Sequence, residues 1–112
     1  MLITVAELPE YRRRAEKLLS QGERDDIVNY LAAVPGEGDL IRGTGGVRKL
    51  RWQRGGRGKS GGVRVIYYFH SERMPLYLLT VFAKNERADL SQAERNELAT
   101  LVDVLIKTAL GE

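Results

Sequence analysis

A chain of 112 residues makes one domain, because two halves would each bury too little apolar surface to fold alone. Its 43% hydrophobic and 29% charged residues are the proportions of an ordinary globular protein, and no apolar run approaches the length of a membrane span. Having no cysteine removes disulfides, thiol nucleophiles and thiolate metal sites, and a single histidine without clustered carboxylates argues against a metal centre, so no cofactor is expected.

The opening MLITVAELPEYRRR lacks a basic head, a long apolar stretch and a small-residue cleavage site, which predicts a cytoplasmic protein. Leu2 to Val5 is short, apolar and β-branched and predicts a buried strand. Pro9 suits a first helical turn, and Leu8, Tyr11, Ala15, Leu18 and Leu19 recur at spacings of three and four, so a helix should run to about Leu19. Arg12, Arg13, Arg14 and Lys17 ride on it, and a solvated face is the plainer reading of that run than an RNA contact.

Ser20 with Glu23 has the spacing of a capping box, so a second helix should carry Ile27, Tyr30, Leu31 and Val34 and stop near Ala33, before Pro35 and Gly36. The loop Gly36 to Asp39 is a turn cluster. Three strands follow. Val47 to Trp52 sets Val47, Lys49 and Arg51 on one side and Arg48, Leu50 and Trp52 on the other; Gly62 to Phe69 sets Arg64, Ile66 and Tyr68 against Val63, Val65, Tyr67 and Phe69. Leu76 to Ala83 is nearly all apolar and should be central, with Pro75 at its start. Ser91 with Glu94 repeats the capping box ahead of Leu98, Leu101, Val102, Leu105, Ile106 and Ala109, the stripe of a long helix that Gly111 ends. The order strand, two helices, three strands, helix describes an α+β domain with an antiparallel sheet.

Charge is distributed unevenly along this frame. Between Asp39 and Glu72 there is no acid, while Arg42, Arg48, Lys49, Arg51, Arg54, Arg57, Lys59 and Arg64 place eight cations there. The whole chain carries only +3, so the remainder is net acidic and the cationic part stands apart. Eight of the twelve glycines fall in the same region, where the backbone turns sharply and comes close to a ligand. A polyanion is the natural guest, and nucleic acid is the commonest one.

If the guest is RNA, the neighbouring 2′-OH is a built-in nucleophile. Cleavage then needs a base for its proton, cations for the phosphorane and a donor for the leaving 5′ oxygen. His70, at a strand end beside a hairpin, reads more simply as a surface residue than as that base. An ammonium among like charges gives up its proton more readily, which makes Lys49, Lys59 and Lys84 the candidates, and the guanidinium fork suits Arg64 and Arg48 to phosphate oxygens. The plainer reading of each is a cation that positions phosphate without catalysis. Among the aromatics, Trp52, Tyr67 and Tyr68 could stack on bases, though aromatics in strands are more often core. The glycines at 43, 45 and 46 and the Lys59-Ser60 pair lack the spacing of a nucleotide-binding loop.

The element order and the segments GTGGVRKLRW, GRGKSGGVRVIYYF and LYLLTVFAKNERADLS together resemble the RelE/ParE superfamily of bacterial toxins, most closely its HigB branch. The resemblance implies a RelE-like, microbial-ribonuclease-type fold. It also implies a toxin of a type II toxin-antitoxin module: a metal-independent endoribonuclease that enters the ribosomal A site, cuts mRNA there, and is silenced by a cognate, helix-turn-helix HigA-like antitoxin. On that pattern Arg64 stabilises the scissile phosphate and Lys59 or Lys84 transfers protons. Arg48, Lys49, Arg51 and Arg57 then grip backbone phosphates, with Tyr68 as an RNA contact. Several relatives carry Tyr or His near the end of the last strand, where this chain has Phe82 and Lys84. The ParE side, which inhibits DNA gyrase without a nuclease set, is the alternative.

Overall fold

In a computed structural model, which describes residues 3–53, 62–87 and 89–111, the chain forms a five-stranded sheet with helices on both faces. The elements in chain order are β1 (Val5–Glu7), α1 (Pro9–Leu18), α2 (Gln21–Ala33), β2 (Asp39–Leu40), β3 (Val47–Gln53), β4 (Gly62–Tyr68), β5 (Leu76–Ala83) and α3 (Gln92–Leu110). Strands β2 to β5 pair antiparallel in sequence order, and β1 joins the far edge parallel to β5, giving the order β1-β5-β4-β3-β2. No helix among the described residues is long and apolar enough to cross a membrane.

Helix boundaries follow local chemistry. Both predicted capping boxes form: the hydroxyls of Ser20 and Ser91 accept from the amides of Glu23 and Glu94, and each glutamate accepts from its serine's amide in return. Gly111 ends α3 at φ 71°, a left-handed conformation that side chains resist. Strand boundaries departed further from expectation. The first strand starts at Val5, since Ile3 gives its amide to Ala32 at the end of α2 and only beyond it does the chain run beside Leu76 to Leu78. A short strand, Asp39–Leu40, occupies the end of the expected turn cluster, pairing with Arg48 and Lys49.

The two sheet faces have separate cores. Helices α1 and α2 bring Tyr11, Ala15, Leu19, Ile27 and Leu31 onto Leu50, Val63, Val65, Tyr67, Leu76, Leu78 and Val81. Helix α3 lays Val102 and Leu105 onto the opposite face, against Val47, Ile66, Tyr68, Leu79 and Phe82. Strict alternation along β5 would put Leu76, Leu78, Thr80 and Phe82 together. A bulge prevents this: Ile66 pairs with Thr80 while Tyr67 pairs with Leu78, leaving Leu79 as the extra residue. Val81 thereby stays with Leu78 on the α1/α2 side, and Phe82 moves to the face of α3.

Candidate nucleic-acid interface

The β3–β4 register decides which cations meet. Val47 lies opposite Tyr68, Lys49 opposite Ile66, and Arg51 opposite Arg64, all on the α3 face of the sheet. Helix α3 covers the Val47–Tyr68 end, while at the other end Arg51 is exposed and Arg64 half-buried. Directly opposed residues in such a pair have Cβ atoms about 4.5–5.5 Å apart, so two guanidinium groups share one patch at a repulsive cost. Arg64 is the more confined. Burial first and Arg51 second push its guanidinium below its ordinary value, though arginine stays charged at physiological pH. Its Nη1 donates to the Val63 carbonyl at 3.2 Å, and the same atom lies 3.7 Å from where a Cβ on Gly62 would stand. A Cβ there would touch the guanidinium only at ordinary van der Waals distance; its tightest neighbour would be Gln53 Oε1 at 3.3 Å.

Phe82 continues the row beyond Arg64, being its partner on β5. The Arg87 guanidinium caps the Phe82 ring at 4.5 Å from the centroid, a cation–π contact, and Arg87 Nη1 donates to Glu94 Oε2 at 2.7 Å. One row therefore carries Arg51, Arg64 and, above Phe82, Arg87. Lys49, one row further in, reaches Asp89 with its Nζ 3.6 Å from Oδ1, and Arg95 meets the other Asp89 oxygen at 3.3 Å. The Leu90 amide above all, with Lys49 and Arg95 beside it, holds the Asp89 carboxyl below its ordinary range. Asp89 is thus an acid fixed among cations, and it holds Lys49 in place.

The expected site residues separate into groups. Arg64, Arg51 and Lys49 come together on the open end of the α3 face. Lys84 is exposed in the turn after β5, and its amide donates to the Gly62 carbonyl at 3.0 Å, which ties that turn to the start of β4 beside Arg64. Arg57 and Lys59 lie outside the described residues. Arg48 points away from this patch, because alternation puts it on the α1/α2 face, where its Nη1 donates to the carbonyls of Gly38 at 2.7 Å and Gly36 at 3.1 Å; it braces the loop before β2. Tyr68 corrects a second expectation: it is 4% exposed inside the α3 core, and burial raises its hydroxyl pKa, so it offers no face to a base. Tyr67 is buried too, its hydroxyl accepting from the Gly38 amide and donating to the Pro35 carbonyl, both at 2.8 Å. Trp52 packs edge-on against Tyr30 at 5.6 Å. His70 is exposed and bonded to Ser71, about 20 Å along the strand from Arg64 at about 3.3 Å per residue.

Sequence reasoning singles out neither Arg87 nor Asp89, and Glu94 only as half of a capping box. The signal available was their alternation of sign in KNERADLSQAER, immediately after the last strand. The run on α1 was also read too simply, since Arg14 Nε donates to the Val81 carbonyl at 2.6 Å and its Nη2 lies 3.5 Å from Glu86, binding α1 to the end of β5.

Residues 7–110 match the family model described as the RelE toxin of the RelE/RelB toxin-antitoxin system. The chain belongs to the RelE toxin family. This RelE-family chain is accordingly the toxin component of a toxin-antitoxin system, which implies a cognate antitoxin as its partner. The fold is similar to that of a free-state arginine double mutant of the E. coli toxin RelE, with a TM-score of 0.59 at 16% identity over 91% of this chain and 98% of that one. Among the described residues of the RelE-family toxin, no three His, Asp or Glu side chains gather as a metal site would require.

Proposed function

We propose that this RelE-family toxin inhibits translation by cutting mRNA in the ribosomal A site, and that it acts in the cytoplasm until its antitoxin silences it. The observation that carries this reading is the cross-strand pair Arg51 and Arg64, set at the uncovered end of a sheet face with Arg87 fixed beside them. Two like charges side by side are unfavourable without a guest, and a phosphate between them would relieve that repulsion. Arg64, the less exposed, is suited to the two non-bridging oxygens of the phosphorane, and Arg51 and Arg87 to flanking phosphates. Lys49, held by Asp89, adds a fixed positive charge.

The 2′ oxygen attacks the phosphorus as its proton passes to a base, and the 5′ oxygen leaves with a proton. One fragment then ends in a 2′,3′-cyclic phosphate and the other begins with a 5′-hydroxyl. Lys84, in the turn tied to Gly62, and Lys59 are the proposed proton carriers; Arg57 is a further phosphate contact. Expression in bacteria should stop growth and create new 5′-hydroxyl mRNA ends within translated frames, mapped by primer extension. Intact messages accompanied by DNA-damage signalling would refute the proposal and favour gyrase inhibition.

A further inference from the structure

An apolar cleft of about 440 Å³ opens on the same side of the sheet, between the start of α1 and the first half of α3. Leu8, Leu79, Leu98 and Leu101 form its walls, and three carboxylates, Glu10, Glu94 and Glu97, stand at it. Glu94 is engaged by Ser91 and Arg87. Glu10 and Glu97 have neither ion pair nor hydrogen bond among the described residues. A protein of net charge +3 thus keeps an oily cleft with two unpaired acids, opposite in character to its RNA-facing patch.

We infer that this cleft receives a segment of the antitoxin that is apolar on one side and carries lysine or arginine for Glu10 and Glu97. The inference rests on the toxin reading above for the existence of the partner, but not on RNA cleavage. Shape and charge both select that occupant: leucine walls take aliphatic side chains as grooves take amphipathic helices, while the acids repel an acidic segment drawn to the arginines. The position also gives the occupant leverage. Leu90 and Glu94 line the cleft, and in the same short stretch Asp89 holds Lys49 while Glu94 holds Arg87. A segment seated there presses on the residues that fix two cations of the site, without covering Arg64.

Because the chain has no cysteine, one introduced at Glu97 is a unique chemical probe. The full-length E97C toxin is treated with a maleimide alone and in complex with the product of the adjoining reading frame, with E72C as the exposed control. Complex formation should slow reaction at position 97 about tenfold or more and leave position 72 unchanged. In parallel, E10K/E97K should bind that product about tenfold more weakly and escape its rescue of growth, while arresting growth normally when expressed alone. Equal labelling of E97C with and without the partner, or failure of the adjoining product to bind, overturns the inference. So does protection that appears in the toxin alone as its concentration rises, which would make the cleft a contact between two copies of this chain. A toxin that leaves mRNA intact but shows the protection would sink the cleavage mechanism and keep the docking site.

Discussion

Glu94 performs one task that Glu23 does not, and the chain supplies its own control. Both residues close identical capping boxes, but Glu94 also holds Arg87 at 2.7 Å, whereas the second oxygen of Glu23 is buried without a partner. Removing the glutamate half of a capping box leaves the serine cap in place and loses one hydrogen bond to the serine amide, about 1 kcal/mol. The Arg87 pair, each partner about one-third exposed, adds about 0.2–1 kcal/mol after solvent screening. With an unfolding entropy of about 2.1 cal/mol/K per residue, 1 kcal/mol shifts Tm by about 4 °C in a chain of this length. E94A should therefore lower Tm by about 5–8 °C, and E23A by about 4 °C or less, since it also removes an unsatisfied oxygen. E94Q keeps an acceptor for the Ser91 amide but loses the charge, and should fall between wild type and E94A. The pH dependence has a definite sign. The Ser91 amide first, then Arg87, holds the Glu94 carboxyl below its ordinary value. Its stabilisation is therefore complete above the ordinary glutamate range and disappears as the pH falls through the depressed folded value. The gap between wild type and E94Q, measured by circular dichroism melts, should close progressively in acid. Equal losses for E94A and E23A, or a gap that does not narrow at low pH, would refute the assignment of Glu94 as Arg87's anchor.

Three further outcomes are expected. Y67F leaves the buried Gly38 amide without its acceptor and should cost about 1–3 kcal/mol, read as a lower denaturation midpoint. R51A removes a like-charged neighbour of Arg64 and one phosphate contact, so single-stranded RNA binding should become less salt-dependent, by about 0.7 in the log–log slope, with no loss of thermal stability. Y68F should cleave messages as fast as wild type in a primer-extension time course, because that ring lies in the α3 core.

Much of this arrangement could be read from the sequence, and the parts that could not have physical causes. Capping boxes and a terminal glycine act within a few residues, so Ser20, Ser91 and Gly111 placed their helix ends correctly. Alternation in Val47 to Trp52 and Gly62 to Phe69 put Lys49, Arg51, Arg64, Ile66 and Tyr68 on two matching faces, and the register joined them. Alternation does not say what covers each face. Tyr68 and Arg64 share a side, yet α3 buries one and leaves the other accessible. Nor does it disclose which carbonyls await a donor, which is why Arg48 was grouped with the phosphate contacts when the loop at Gly36 and Gly38 takes its guanidinium. The bulge at Leu79 left no mark in a nearly all-apolar strand, although it brings Phe82 beside Arg64. The acids Asp89 and Glu94 read locally as a loop and a cap; their pairing with Lys49 and Arg87 exists only once α3 folds back over the sheet.

The central claim is that guanidinium groups on this sheet face break the phosphodiester of a translated message. It is tested most directly by giving purified toxin to ribosomes programmed with a defined mRNA and following single-turnover cleavage by wild type and R64A, with ribosome binding measured alongside. The account predicts cutting in the A-site codon by the wild type and a loss of about two to three powers of ten for R64A with binding retained. A message left whole by the wild type, or cut at full speed by R64A, would contradict it.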